Sequence, residues 1–309
     1  MISFRYHLVS IVAVLLALAL GVLVGASVLD KGLVEQLKRD TQEAQSAADR
    51  LQQEKKVSDT QSDALQEQLL PWVAASRLSG ERVIVLALEG VPETVVAGAR
   101  RALDAAGAEV PGVVIVGTRV VSQEEEVRRE IADALGVSED AGDDLAGEAA
   151  RALAARLAGD APRAGGGDLL GRLVEGGFLC PRGCPGLDDQ ILVELGSRDD
   201  PVVVLGAGDG ETDEATARFA VPLVDDLVAR GVAVAAGESV ESESSLVGIL
   251  RSDDDGPAGG DDPRMVTVDD LDQPMGGVAL VLGLERLQVA GIGGNYGVRR
   301  DADDGHVPV

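Results

Sequence analysis

Hydrophobic residues form three successive patterns along the chain, and each pattern predicts a different kind of structure. Residues 8–29 carry no formal charge, so a helix over this stretch would span about 33 Å, enough to cross a hydrocarbon core of about 30 Å. Residues 33–70 contain neither Pro nor Gly and are mostly polar, whereas after Gly80 short apolar runs alternate with amphipathic stretches. We therefore predict a transmembrane anchor (1–30), a helical stalk (31–78), an α/β domain (79–298) and a flexible acidic tail (299–309).

The anchor carries small residues at every fourth position, which places them along one face of a helix. These residues are Ala13, Ala17, Gly21 and Gly25. Such a face lets a second helix approach closely, so we expect helix pairing here, although Ala and Gly are also common in any membrane span. A cleaved signal peptide has a shorter apolar region, of about 7–15 residues, so the stretch favours an uncleaved anchor in membrane lipid.

The basic residues that flank the anchor do not fix its orientation. Arg5 precedes the apolar stretch, and Lys31, Lys38 and Arg39 follow it. Because an excess of Lys and Arg marks the cytoplasmic side, this distribution slightly opposes a cytoplasmic N-terminus.

The stalk has one heptad position that is mostly apolar and a companion position that is mostly polar. The first comprises Leu37, Ala44, Leu51, Ser58, Leu65 and Trp72. A single apolar seam predicts a weak coiled coil between two copies, or one helix that leans on the domain below. We expect Pro71 to end the regular pattern, with a bent turn over residues 72–78 as the alternative.

The α/β domain contains five stretches with the uniformly apolar composition of strands buried on both faces: 82–88, 113–116, 200–205, 231–236 and 264–268. Helical patterns occupy 93–106, 124–157, 211–230 and 274–290. The alternation predicts a Rossmann-like parallel sheet covered by helices. Strand, helix, glycine and strand occur twice, which predicts two related βαβ halves at about 79–195 and 198–298. We expect an irregular insertion at 165–186 and an acidic loop at 253–262.

The net charge and the residue at position 211 disfavour nucleic acid and a dinucleotide as ligands. The formal net charge is −26, which repels phosphate and makes nucleic acid an unfavourable partner. The glycine-rich residues 206–210 follow a predicted strand as a dinucleotide-binding turn does, but Glu211 occupies the position of the third glycine. A carboxylate there would repel a pyrophosphate, so an ordinary βα loop is the favoured interpretation.

The chain has two cysteines, Cys180 and Cys184, which flank the residues Pro-Arg-Gly. Two thiolates can hold Cu(I), so the pair is a candidate metal site. Outside the cytoplasm the same spacing more readily closes a small disulfide loop, and free thiols are the third alternative. The insertion has no Met or His that could complete a soft metal site, and no cofactor is evident.

No constellation of residues indicates catalysis. The two histidines are His7, next to the anchor, and His306, in the tail, so no Ser–His–Asp arrangement is expected. Three pairs of acids, at 188–189, 225–226 and 269–270, are interpreted as solvated charges of loops or helices. We therefore predict that the protein is not an enzyme.

Residues 1–10, Met-Ile-Ser-Phe-Arg-Tyr-His-Leu-Val-Ser, and the apolar run at 16–25 form a highly specific pattern. This start resembles the actinobacterial MctB family of copper transport proteins. The likeness extends through the stalk and both strand–helix–strand halves to Asn295-Tyr296-Gly297, while the Cys-containing insertion and the tail depart from it. The resemblance implies a role in copper efflux and resistance, copper ion as the species handled, and a domain outside the cytoplasm with the N-terminus inside.

The family has been described as an outer-membrane pore, but the strands predicted here do not alternate between apolar and polar residues as those of a membrane barrel do. We therefore expect an accessory envelope protein rather than a pore. Two alternatives remain: an envelope scaffold that forms a homo-oligomer through anchor and stalk and binds envelope proteins, or an α/β domain that binds a small ligand near residues 206–210.

Overall fold

The computed structural model describes residues 4–137, 144–160, 168–180, 187, 191, 194–206, 216–240, 246–252, 256–259, 263–302 and 305–308. Within the first helix, the side chains described are those of residues 7–24, 36, 38–54, 56–58, 70 and 72–74.

The chain divides into two compact units, residues 1–61 and 62–309. Helix α1 (Phe4–Ala74) includes all described residues of the first unit. Its segment His7–Val24 is long and apolar enough to cross a membrane by length and composition, as predicted for the anchor. Helix α1 continues through Pro71 to Ala74, in agreement with the alternative in which the chain goes on as a further turn after the proline. Leu70 and Ala74 are buried in the second unit, and this burial stabilises the helix across the proline.

The second unit is built on one sheet of six parallel strands in the order β2-β1-β3-β4-β5-β6. The strands are β1 (Ile84–Leu88), β2 (Val113–Val116), β3 (Val202–Leu205), β4 (Val234–Gly237), β5 (Val266–Val268) and β6 (Gly294–Tyr296). Strand β1 pairs with β2 in the register Val85 to Val113, and with β3 in the register Ile84 to Val202. The predicted parallel sheet is confirmed, whereas the relation between two βαβ halves stays a prediction.

Helices cover both faces of the sheet. They are α2 (Glu93–Ala105), α3 (Glu125–Leu135), α4 (Leu145–Leu157), α5 (Leu169–Glu175), α6 (Val221–Ala229), α7 (Leu246–Ser252) and α8 (Pro274–Ala290). In β1 to β4, alternate residues belong to two separate hydrophobic clusters, one with α2, α8 and the end of α1, the other with α3 to α7. Strands β5 and β6 contribute Val266, Val268 and Tyr296 to the first of these clusters. Burial on both faces is the reason that β1 to β4 are apolar at every position.

Local signals explain where several helices begin and end. The Asp144 side chain accepts the Gly147 N–H at 3.1 Å and so caps the start of α4. Helix α3 ends at Gly136, whose φ of 74° is readily adopted by glycine. For this reason the predicted helix at 124–157 is wrong as a single element: the structure has α3 and α4 instead. A further difference is α5, which lies inside the stretch predicted to be irregular.

The free edge of β2 is partly covered by residues that follow α5. Val116 forms an antiparallel bridge with Leu179. The Gly117 N–H donates to the Phe178 carbonyl at 2.8 Å, and the Cys180 N–H donates to the Ile115 carbonyl at 2.6 Å. The segment around Cys180 is therefore held to the sheet by backbone hydrogen bonds.

Candidate functional site

Four buried charged side chains and one partly buried arginine lie together where β4, β5 and β6 end. This carboxyl-edge cluster comprises Glu238, Arg251, Asp269, Asp270 and Arg299. Glu238 directly follows β4, and Asp269 and Asp270 directly follow β5. Because the carboxyl ends of parallel strands meet at one edge of a sheet, the topology brings these three acids together. All three are at most 1% exposed. Such burial is rare for acidic residues unless they are paired.

Arg251, at the end of α7, forms the centre of the cluster. Its Nη1 lies 2.7 Å from Asp269 Oδ2, and its Nε donates to Thr267 Oγ1 at 2.8 Å. Its Nη2 donates to the Tyr296 carbonyl at 2.8 Å. A second acid, Asp301, approaches Nη1 at 3.2 Å. The guanidinium therefore connects α7, β5, β6 and the chain that follows β6.

Both carboxylate oxygens of Asp269 have partners. In addition to the ion pair with Arg251, its Oδ1 accepts the backbone N–H groups of Val298 at 2.8 Å and Arg299 at 3.3 Å. The two amides can approach because residue 297 is glycine with φ of 138°, and a Cβ there would collide with the Asp269 carboxylate. Asp269 thus fixes the path of the chain after β6.

Glu238 is paired with Arg299 in the same way. Its Oε1 forms an ion pair with Arg299 Nη1, and its Oε2 accepts the Val247 N–H at 3.1 Å near the start of α7. Arg299 Nη2 also donates to the Ser239 carbonyl at 3.2 Å. The second arginine of the cluster therefore binds the C-terminal segment to the loop after β4.

Asp270 is the acid that the cluster does not neutralise. Its Oδ1 is buried and has no hydrogen-bond partner among the described residues. It lies against the start of α8, where a Cβ on Gly276 would be 2.7 Å from it. Burial raises the pKa of Asp270 to about 7; the Asp269 and Asp272 carboxylates also raise it, whereas His306 and Arg251 lower it. Asp270 therefore takes up a proton near neutral pH.

The charges of the cluster explain this difference between the acids. Arg251 pairs with Asp269 and Arg299 pairs with Glu238, so Asp270 is a surplus carboxyl in a desolvated place. The cluster can hold the C-terminal segment on the sheet and exchange one proton. No group of three or more His, Cys, Asp or Glu side chains suited to a metal ion occurs in the described part of the chain.

Comparisons with known proteins identify the family. The sequence family described as "Copper transport outer membrane protein, MctB" matches residues 1–307. The chain belongs to the MctB family. Among its relatives are the copper transporters MctB of Mycobacterium bovis (strain ATCC BAA-935 / AF2122/97) and Mycobacterium tuberculosis (strain CDC 1551 / Oshkosh), each 25% identical over 331 aligned positions that cover 98% of both chains. The resemblance inferred from the first residues is therefore confirmed.

Cys180, one of the two candidate metal residues of this MctB-family chain, lies at the β2 edge, far along the sheet from the cluster. Cys180 is buried and disulfide-bonded. Cys184 lies outside the described residues. A metal site at this pair stays a hypothesis, and a disulfide-bonded sulfur offers no thiolate to Cu(I).

The residues predicted to pair helices are exposed wherever their side chains are described. In the first unit Ala13, Ala17 and Gly21 are exposed, and Gly25 belongs to the same helix. The seam residues Ala44 and Leu51 are also exposed there, while Trp72, in the second unit, is 87% exposed. Pairing of anchors and stalks stays a prediction.

The glycine-rich loop after β3 is described only at its first residue. A Cβ on Gly206 would be 2.8 Å from the Leu246 Cβ at the start of α7. Helix packing therefore accounts for this glycine without a nucleotide. The residues at 207–211 lie outside the described part of the chain.

The interpretation of residues 269–270 as solvated charges is wrong, because both are buried. Glu238, Arg251 and Arg299 were not singled out from the sequence at all. A signal was present: Asp269 directly follows a run predicted to be a buried strand, and Glu238 stands two residues after another such run. Position at a carboxyl strand end, rather than pairing of acids, was the informative pattern.

Proposed function

We propose that this protein is anchored in a membrane of the cell envelope by residues 8–29 and supports copper efflux, with its α/β domain outside the cytoplasm. The observation that carries the proposal is the family match over residues 1–307, which includes the anchor and the whole domain. Copper is the cargo in this proposal.

The role we propose is accessory, not that of a pore formed by this chain alone. The described residues include one segment suited to crossing a membrane, and one helix does not enclose a channel. The strands are buried on both faces under helices, which supports a water-soluble domain rather than a membrane-embedded sheet.

A non-enzymatic role is part of the same proposal. Burial raises the pKa of Asp270 to about 7, but the residue is 1% exposed. A general acid or base has to come within hydrogen-bond reach of its substrate, so this burial favours a structural role for the carboxyl.

The test is to delete the gene and measure cell copper and copper tolerance under copper stress. We expect cell copper to rise and tolerance to fall, with zinc unchanged, and the wild-type gene to reverse both effects. The double variant Leu16→Arg/Leu20→Arg should fail to do so, because each charge at a helix centre costs about 3 kcal/mol of membrane insertion. The matched control is Leu16→Ile/Leu20→Ile, which should complement fully.

Unchanged copper and unchanged tolerance in the deletion strain would rule out the efflux role. The accessory role is tested by reconstituting the purified full-length protein in liposomes. We expect no copper flux; flux through liposomes that contain this chain alone would show that it is a pore.

A further inference from the structure

A cavity of about 380 Å³ opens beside α2 at the carboxyl end of β1. It lies near the β2 end of the sheet, whereas the carboxyl-edge cluster lies near the β6 end. Its floor consists of Ala87 on β1 and of Val113 and Ile115 on the edge strand β2, and Ala97 of α2 forms part of its wall. This volume falls within the range of small-molecule sites, about 300–1,000 Å³.

The two ends of the cavity carry opposite charges. Glu89, after β1, and Glu93, the first residue of α2, line the end at the carboxyl edge of the sheet, and Arg100 lines the other end. Glu93 and Arg100 are seven residues apart on one helix face, so their backbone positions differ by about 10 Å along the helix. The apolar floor lies between the acids and the arginine.

Arg100 differs from the arginines of the carboxyl-edge cluster because it is half-buried and has no ion pair or hydrogen bond with other described residues. Its guanidinium is therefore available to a carboxylate, which it can bind through two parallel N–H groups. At the other end, Glu89 already accepts the Thr118 N–H at 3.1 Å, and Glu93 is exposed. Two carboxylates at the start of α2 offset the positive helix end there, so this end favours a cation over an anion.

We propose that this cavity binds an aliphatic zwitterion. Its ammonium group lies between Glu89 and Glu93, its methylene chain covers the apolar floor, and its carboxylate pairs with Arg100. Charge complementarity and the separation of about 10 Å together select a ligand whose two charges stand at opposite ends of an extended chain. The site is independent of the proposed role in copper efflux.

The experiment is a calorimetric titration of the full-length protein in detergent micelles, with protein-free micelles as the blank. The probe is 8-aminooctanoate, whose extended length matches the two helical turns between Glu93 and Arg100. We expect saturable binding, and binding weaker by about tenfold or more for 4-aminobutyrate, which cannot span both ends, and for octanoate, which lacks the cation.

Arg100→Gln should weaken binding of 8-aminooctanoate by about tenfold or more, because a hydrogen-bonded charge pair is lost. Its matched control is Arg101→Gln, an exposed neighbour that does not line the cavity, which should bind as the wild type does. Ala97→Leu keeps every charge and fills part of the cavity, so it should also abolish binding. No binding by the wild type, equal binding of the short and long probes, or unchanged binding in both Arg100→Gln and Ala97→Leu would overturn the proposal.

Discussion

The two ends of the carboxyl edge of the sheet use the same residue types in opposite ways. After β4, β5 and β6, Arg251 and Asp269 form a buried pair, the partly buried Arg299 pairs with the buried Glu238, and one further acid is left over. Beside β1 and β2, two acids and an arginine line an open cavity, and Arg100 has no partner among the described residues. An arginine is therefore structural or available to a ligand according to whether the fold provides a carboxylate for it.

The difference follows from how the chain continues after each strand. After β6 the chain turns back over the edge at Gly297 and supplies Arg299 to Glu238. After β1 it enters α2 through residues 90–92, which contain no Lys or Arg. Buried pairs, a buried surplus charge and exposed pairs should therefore differ in how much they change the free energy of unfolding.

The largest effect is expected for Arg251→Leu. This change leaves the Asp269 carboxylate buried without its counter-ion, and removing one partner of a buried pair costs about 3–5 kcal/mol. Urea unfolding of the full-length protein in micelles, followed by circular dichroism, measures the free energy of unfolding. Arg100→Leu is the matched control and should change it by only about 0.5 kcal/mol; equal losses in the two variants would contradict the distinction between paired and available arginines.

A smaller, pH-dependent effect is expected from Asp270. Burial raises the pKa of Asp270 from 3.8 to about 7 in the folded protein. Between these values the folded state keeps a proton that the unfolded state releases, so the contribution of Asp270 is most favourable below pH 4 and is lost as the pH rises to about 7. One pKa unit corresponds to about 1.4 kcal/mol, so the loss amounts to a few kcal/mol at most.

Asp270→Asn removes this titration while keeping the shape of the side chain. The variant should be more stable than the wild type at pH 8, by about 1–3 kcal/mol, and about equal to it at pH 4. Asp133→Asn, at an exposed position of α3, serves as control and should leave the pH profile unchanged. If the difference in the free energy of unfolding between wild type and Asp270→Asn were the same at pH 4 and pH 8, the Asp270 carboxyl would be ionised throughout this range.

The smallest effect is expected at an exposed pair. Asp160 receives hydrogen bonds from Arg230 and Arg198, and these arginines hold its pKa below the usual value. Arg198→Gln leaves Arg230 in place, so the free energy of unfolding should fall by about 0.5 kcal/mol or less. The difference should disappear in 1 M salt, because ions screen exposed charges; a loss as large as that of Arg251→Leu would mean that burial is not the deciding factor.

The elements that follow from local patterns could be predicted from the sequence. Uniformly apolar runs identified β1 to β5, and the sheet is parallel as that composition indicated. Strand β6 was missed as a strand because Gly294–Tyr296 has no apolar run and pairs with β5 alone. The break between α3 and α4 was missed because the residues on both sides of Gly136 have helical patterns, so the glycine was included in one helix.

The carboxyl-edge cluster could be predicted only in part, because its burial depends on contacts between distant parts of the chain. Asp269 and Asp270 resemble any pair of surface acids in the sequence. They are buried because strand order places β5 between β4 and β6 and because Arg251 and the segment after Gly297 close over them. Neither the strand order nor this return of the chain is encoded in a local pattern.

The short bridge between Val116 and Leu179 has a consequence for a protein concentrated on a membrane surface. An uncovered edge strand exposes N–H and carbonyl groups that can pair with a strand from another chain. Here the Ile115 carbonyl and the Gly117 N–H are already bonded to Cys180 and Phe178. When neighbouring copies meet, these groups of the β2 edge are therefore not available for pairing with a strand of another copy.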